Sequence, residues 1–121
     1  MILPFVREFF ADLDKSDAVD RVRQPLQSGA GRRRISGLTA TARALYLPLF
    51  ARIARTPAFV VVSDNRAAEE LQLAVQAACD LTGEMDRNAI VRLPAHDVLP
   101  FENLSPHPDI QEQREVTLWK I

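Results

Sequence analysis

The chain has 121 residues, of which 15 are basic and 16 acidic, so its formal net charge is -1. Hydrophobic residues make up 47% of the sequence, which excludes a disordered chain and supplies enough apolar side chains for the core of one domain. Because the net charge is near zero, the chain as a whole is not expected to attract nucleic acid, and binding to it would need a local basic patch.

Redox and targeting signals are sparse. The single cysteine, Cys79, excludes a disulfide framework and a multi-cysteine zinc site. Arg7 and Glu8 interrupt the apolar start, which argues against a signal peptide. No apolar run approaches the roughly 20 residues that cross a bilayer. We therefore expect a cytoplasmic protein with no membrane partner.

The first part of the chain predicts two helices. Apolar side chains at helical spacing indicate a helix over residues 3–13, and Ser16 is a suitable N-cap for a second helix. Pro25 falls inside the second pattern and is expected to kink or shorten that helix. Residues 28–31 then predict a turn and a hinge.

Strand-like patterns begin after this hinge. The candidate strands are residues 32–36, 58–62 and 89–93. The middle one reads Ala-Phe-Val-Val-Val, a continuous apolar run typical of a strand that is buried on both faces of a parallel sheet.

Two helices are predicted between these strands. Residues 41–55 carry apolar side chains at helical spacing, and Pro48 is expected to bend this helix. The second helix is predicted to start at Ser63 or Asp64 as its N-cap and to stop at Gly83.

Alternating strands and helices imply right-handed crossovers and a parallel sheet. We therefore predict an α/β fold over residues 32–121, in which flanking helices cover a parallel β-sheet of three or four strands. Residues 1–31 are expected to pack beside it as N-terminal helices.

The turn after the first candidate strand has the layout of a phosphate loop without its chemistry. The Walker A pattern is G-x-x-x-x-G-K-[ST], and Gly37 keeps its first position. Ala42 adds a Cβ where the backbone approaches phosphate, Arg43 replaces the lysine with a broader head, and Ala44 cannot ligate Mg²⁺. We therefore expect no nucleotide binding here. A tight turn into the following helix is sufficient to explain why residue 37 is a glycine.

Arg32, Arg33 and Arg34 form the one basic cluster. Their guanidinium groups offer contacts to DNA phosphates, but on a strand the three side chains alternate between faces. No aromatic residue interleaves with them for base stacking. A solvated start of a strand is the favoured interpretation, with DNA contact as the alternative.

Metal and catalytic chemistry are not indicated by the two histidines. His96 and His107 lie eleven residues apart, and only Cys79 and Glu102 offer further ligands nearby, without a spacing that fixes their geometry. No nucleophile partners His96 and its neighbour Asp97. We predict no metal site and no catalytic residue.

Residues 94–108 contain four prolines and predict an extended, stiff loop. Asp97 and Glu102 are expected to hold the loop backbone, and Ser105 or Asp109 to cap the helix that follows. Because the loop is preformed, a partner could dock on it at low entropic cost.

The chain stops within this last helical pattern. Trp119 is the third residue from the end and suits a core or a neighbouring module, and no terminator residue follows it. We interpret the chain as a piece of a longer protein.

Residues 92–114 read RLPAHDVLPFENLSPHPDIQEQR, which resembles the N-terminal module of the bacterial transcription-repair coupling factor (Mfd). That family carries a strand and a loop of the form L-P-x-x-D-x-L-P-[YF]-E-x-x-S-P-x-x-[DE]-I-x-x-x-R. The matching residues are Leu93, Pro94, Asp97, Leu99, Pro100, Phe101, Glu102, Ser105, Pro106, Asp109, Ile110 and Arg114. SGLTATARAL at 36–45 resembles the family's degenerate phosphate loop, and VVVSDNRAAEEL at 60–71 resembles the strand and helix that follow. The resemblance covers about residues 32–121.

The resemblance implies a partial helicase-type lobe, similar to the first domain of the excision-repair protein UvrB, that has lost its nucleotide site. It implies a non-catalytic scaffold that supports UvrA recruitment in transcription-coupled nucleotide-excision repair, through an adjacent module beyond Ile121. The parent would be an ATP-dependent DNA translocase whose separate motor uses ATP and Mg²⁺ and displaces stalled RNA polymerase. RNA polymerase and DNA would contact other parts of that parent, and this chain would hold no cofactor.

Two rival functions stay open. A nucleotide-binding NTPase lobe would need a loop that tolerates Arg43. A DNA-binding module would use Arg32, Arg33 and Arg34, although residues 93–109 are too short and proline-rich for the long aromatic hairpin with which UvrB grips DNA.

Overall fold

The computed structural model describes residues 4–29, 31–99 and 101–121, without the side chain of Arg7. Residues 3 and 30, and Pro100 of the family loop motif, carry predictions that lie outside this description. The regular elements are α1 (Pro4–Asp14), α2 (Asp17–Ser28), α3 (Ala40–Ala54), α4 (Asn65–Thr82), a 3-10 turn (Arg87–Ala89) and α5 (Pro108–Lys120).

The predicted α/β fold is wrong. The described ranges contain helices and no β-strand, and residues 32–36, 58–62 and 90–93 lie in segments without regular structure. Across those ranges, no backbone hydrogen bond joins the three candidate strands to one another. The parallel sheet, its crossovers and the UvrB-like, helicase-type architecture that depended on them are therefore corrected to a helical fold.

The third candidate strand shows one physical reason for this difference. Gln72 of α4 donates from Nε2 to the carbonyl of Ile90 at 3.1 Å, and Thr117 of α5 donates from Oγ1 to the carbonyl of Arg92 at 2.7 Å. Arg114 of α5 donates to the carbonyl of Pro94. Side chains from two helices thus donate to the carbonyls that would accept from the N–H groups of a neighbouring strand in a sheet.

The other two candidate strands lack a covering layer. Residues 32–36 are all exposed, and Val61, in the apolar run expected to be buried, is 94% exposed. β-propensity reflects the fit of a side chain to a half-buried pleated surface, so a β-branched run does not form a sheet where no second strand or helix lies over it.

The two N-terminal helices are confirmed. Helix α1 covers residues 4–13 of the predicted span. Helix α2 follows Ser16, whose backbone is extended as an N-cap requires, although its side chain makes no capping bond. Pro25 lies inside α2, which continues to Ser28 and ends at Gly29 in the left-handed conformation.

Helices α3 and α4 are confirmed with bounds close to the predicted ones. Asp64 caps α4, accepting from the Ala67 amide at 2.8 Å, and Gly83 ends it with a φ of 69°. Pro48 is buried inside α3, which continues to Ala54.

The predicted cap of the last helix is wrong. His107, rather than Ser105 or Asp109, is the N-cap of α5, and its Nδ1 accepts from the Asp109 amide at 3.3 Å. Pro108 takes the first helical position, where its missing N–H leaves no bond unmade. The proline therefore sets where the helix starts, and the residue before it becomes the cap.

The core is small and centred on α3. Between α2 and α3 the buried side chains are Val19, Leu49 and Ile53. Between α3 and α4 they are Ala44, Val75 and Cys79. Cys79 lies in this core as a small buried hydrophobe, and burial raises the pKa of its thiol.

An ionic cluster ties the helices together at one edge. Arg52 of α3 bonds to Asp14 of α1 at 2.8 Å and also to Glu84, which follows α4. Arg23 of α2 reaches the same Asp14 at 2.8 Å. Hydrogen bonds from Arg52 first, and then from Arg23, hold the pKa of Asp14 below its usual value despite the opposing effect of burial.

Across the part of the chain that the structure describes, each helix is too short or too polar to span a bilayer.

Candidate functional site

The degenerate phosphate loop forms the entrance to α3. Gly37 has a φ of 82°, a conformation that disfavours side chains, while the space around its Cα is open. Thr39 is the N-cap, and its hydroxyl accepts from the Ala42 amide at 3.2 Å. The threonine thus takes the place at that amide which a phosphate oxygen would use.

The position that would hold Mg²⁺ belongs to the core instead. Ala44 is 3% exposed and packs with Val75 and Cys79 of α4. A serine or threonine at residue 44 would bury its hydroxyl among apolar side chains. The two other replaced positions differ from it, because Ala42 is half-buried and Arg43 is exposed.

The basic cluster lies on the segment before this loop. Arg32, Arg33 and Arg34 are exposed, and Arg33 donates to the carbonyl of Arg32 at 3.1 Å. Among the residues that the structure describes, none of the three forms a salt bridge. The segment is not a strand, so the expected alternation of the three side chains between two sheet faces is wrong.

The proline-rich loop is tied down at both ends. Asn65, the first residue of α4, bonds to Ala95 twice, accepting from its amide at 2.8 Å and donating to its carbonyl at 3.4 Å. Asp97 accepts from the His107 amide with both carboxylate oxygens at 3.2 Å. The loop between Asp97 and His107 is thereby closed on itself.

A turn at the tip of this loop carries an exposed aromatic ring. Glu102 accepts from the Leu99 amide at 2.9 Å through its side chain, and its own amide donates to the Leu99 carbonyl at 3.0 Å. Phe101, inside this turn, is 81% exposed, and Leu99 and Leu104 are exposed as well. The turn therefore holds an apolar group in solvent.

The other members of the family motif have different neighbours. Arg114 reaches the base of the loop at the Pro94 carbonyl, while the carbonyl of Pro106 accepts from Gln111 at 3.3 Å. Ser105 is exposed, and Asp109 lies in the first turn of α5. The structure thus brings Asp97, Glu102 and Arg114 to the loop backbone, and it does not bring the phosphate-loop residues to them.

Sequence reasoning missed the groove between α4, residues 88–92 and α5, which has a volume of about 570 Å³. Gln72 and Gln76 of α4 line it and donate to the carbonyls of Ile90 and Arg87. Two glutamines four residues apart on a predicted helix share a face, and that spacing was the available signal.

Trp119, expected to enter a core or face a neighbouring module, is exposed near the end of α5. Within the described residues, no group of three histidine, cysteine, aspartate or glutamate side chains is placed to hold a metal ion.

Comparison of the chain with protein-family models, with curated proteins and with solved structures finds no match.

Proposed function

We propose that this chain is a non-catalytic scaffold module that docks on an adjacent module through its proline-rich loop. In line with the sequence resemblance, its role is to support UvrA recruitment in transcription-coupled nucleotide-excision repair, within a parent that translocates on DNA. The observation that carries the proposal is the exposed Phe101, held on a turn whose loop is closed at both ends.

Preorganisation is the physical argument for docking. Binding normally costs the ordering of loops and side chains, and a loop that is already ordered avoids much of that cost. The Asn65 and Asp97 bonds order the backbone, and an exposed aromatic ring is the kind of anchor that contributes most to interface energy.

The accessible surface leaves ample room for a neighbour. The chain exposes 9359 Å², whereas a globular monomer of 13.6 kDa exposes about 6,600 Å². A stable interface buries about 800 Å² per partner, which is well within this excess.

The entrance to α3 supports the non-catalytic part of the proposal. The Thr39 hydroxyl already accepts a hydrogen bond from the Ala42 amide, and Ala44 lies in the core. ATP and Mg²⁺ are accordingly assigned to a separate motor of the parent.

The test adds the UvrA-recruiting module of a coupling factor, as a separate polypeptide, to the labelled chain. We expect association, and retention of the chain on immobilised UvrA only when that module is present. Phe101→Ser should weaken association at least tenfold, while Phe59→Ser, which alters another exposed phenylalanine, should leave it unchanged. Failure of the wild-type chain to bind the module contradicts the proposal.

Calorimetric titration with Mg-ATP separates this proposal from an NTPase lobe. We expect no heat of binding from the wild-type chain. Micromolar binding that Arg43→Ala abolishes would favour the NTPase lobe instead, since Arg43 is the one cationic side chain left in the loop.

DNA binding is the second candidate, and the exposure of Arg32, Arg33 and Arg34 favours it. Contact with phosphates releases counterions, so affinity falls with salt by a log–log slope of about 0.9 per neutralised phosphate. Changing all three arginines to glutamine would reduce that slope by about 2 to 3. A wild-type affinity without salt dependence contradicts this candidate.

A further inference from the structure

Residues 57–62, the connection between α3 and α4, have no hydrogen-bond partner for their backbone anywhere in the described part of the chain. Within the described residues, the neighbouring polar side chains of Ser63, Asp64 and Asn65 bond to other groups and not to the backbone of this segment. Such a row of free N–H and C=O groups is a ready template for another extended chain.

Over residues 59–62 the exposure of the side chains alternates between higher and lower values, as it does along a strand. Phe59 and Val61 are 76% and 94% exposed, whereas Val60 is 49% exposed and Val62 is half-buried. Such alternation is typical of an extended backbone, in which successive side chains point to opposite faces, so we assign Phe59 and Val61 to the same outer face. The segment thus presents an apolar face and unpaired backbone together.

The chemistry of the segment restricts what can cover it. A partner must supply backbone donors and acceptors at strand spacing and apolar side chains on the same face, which means an extended apolar strand. A second copy of this chain carries such a strand, and its register can be derived.

An antiparallel pair centred on Val60 places Phe59 of each copy opposite Val61 of the other. Aromatic and β-branched side chains are a favourable cross-strand pair, and the symmetry forms this pair twice. Pro57, which lacks an N–H, falls at the start of the strand, where it is tolerated.

The charges at the two ends favour the same orientation. Arg55 precedes the segment and Asp64 follows it, so antiparallel copies bring opposite charges together while parallel copies bring like charges together. Because both copies use the same surface, the pair closes as an isologous dimer.

We propose that residues 57–62 are a dimerisation strand, through which two copies of the chain pair antiparallel in solution. This surface is separate from the Phe101 loop, so the inference goes beyond the proposed function. A pair of short strands buries less than a standard interface, so we expect a weak dimer that forms only at high protein concentration.

The first experiment is sedimentation equilibrium of the wild-type chain over a broad range of concentration. We expect the average mass to rise from that of one chain toward that of two. In parallel, amide exchange of residues 58–62 should slow as concentration rises, since these amides have no acceptor among the described residues of the single chain.

Three variants make the test specific. Val61→Lys places a charge on the outer face, and Val61→Pro removes one N–H while it keeps an extended backbone; each should weaken dimerisation at least tenfold. Leu73→Lys makes the same chemical change at another exposed apolar residue, on α4, and should leave dimerisation unchanged. Circular dichroism checks that each variant is folded. Folding is expected because both substituted side chains are exposed.

A chain that stays monomeric at every concentration overturns the proposal. Equal weakening by Val61→Lys and Leu73→Lys would indicate nonspecific association and would overturn it as well. Growth beyond twice the mass of one chain contradicts the closed pair.

Discussion

Helices α2, α3 and α4 bury apolar side chains against one another, whereas the segment from residue 90 to α5 is attached largely through side-chain hydrogen bonds to backbone carbonyls. Thr117 is the only buried residue of α5. Apolar burial spreads over many contacts, while each hydrogen bond contributes roughly 1 kcal/mol. We therefore expect the first region to unfold as a unit and the second to open locally.

The largest effect is expected in the core between α2 and α3. Leu49→Ala removes a buried side chain and should lower the free energy of unfolding by about 3 kcal/mol, as measured by urea denaturation. Leu81→Ala changes an exposed leucine of α4 and should cost less than about 0.5 kcal/mol. Equal costs would mean that the cluster around Leu49 does not form the core.

The core between α3 and α4 is tested at the phosphate-loop position. Ala44→Thr forces a larger, polar side chain between α3 and α4 and should cost about 2 kcal/mol of unfolding free energy. Ala40→Thr makes the same change at an exposed position in the first turn of α3 and should cost much less. If Ala44→Thr leaves the free energy of unfolding unchanged, this position does not belong to the core.

The attachment of α5 is tested at Thr117. Thr117→Val keeps the shape and removes the hydroxyl that donates to the Arg92 carbonyl, so it should cost about 1 kcal/mol. Hydrogen exchange should quicken in α5 and stay unchanged in α3, because the loss is local. Thr41→Val, at an exposed position, serves as the control. Faster exchange throughout the chain would show that the two regions unfold together.

The smallest effect concerns the ionic cluster. The pKa of Asp14 is lowered in the folded chain, so its contribution to stability is present above the unfolded pKa and is lost as pH falls through the folded value. Asp14→Asn should cost up to about 1 kcal/mol at neutral pH, and the difference from wild type should vanish once the pH falls below the lowered pKa of Asp14 in the folded chain. Asp12→Asn makes the same change at an exposed residue of α1 and is the control, with little expected effect on the free energy of unfolding at neutral pH. A difference that persists in acid would mean that packing, rather than charge, explains the loss.

The helices could be predicted because their signals are local. Apolar periodicity, the Asp64 cap and the Gly83 stop each act within a few residues, and all three appear in the structure. The strands could not be predicted in the same way, since a strand needs a partner that the sequence of one segment does not specify. Residues 58–62 have strand composition, but none of the other described residues forms a second strand beside them.

In the candidate site, too, contacts within one segment could be predicted from the sequence and contacts between distant segments could not. The sequence was sufficient to single out Asp97 and Glu102 as holders of the loop backbone, because each carboxylate bonds to an amide within the same proline-rich segment, three residues away for Glu102 and ten for Asp97. The Asn65–Ala95 pair joins residues that are thirty positions apart, and nothing local to either residue indicates the other. His107 was missed as a cap because histidine is an uncommon choice there and the proline after it determined the start of the helix.

The buried thiol gives the chain a reporter of its own motion. Cys79 is 2% exposed between α3 and α4, and its raised pKa keeps it in the less reactive thiol form. A thiol-modifying reagent can therefore react only when these two helices separate, so the labelling rate measures how often they do. Because this is the only cysteine in the chain, that rate follows one event without any engineered label.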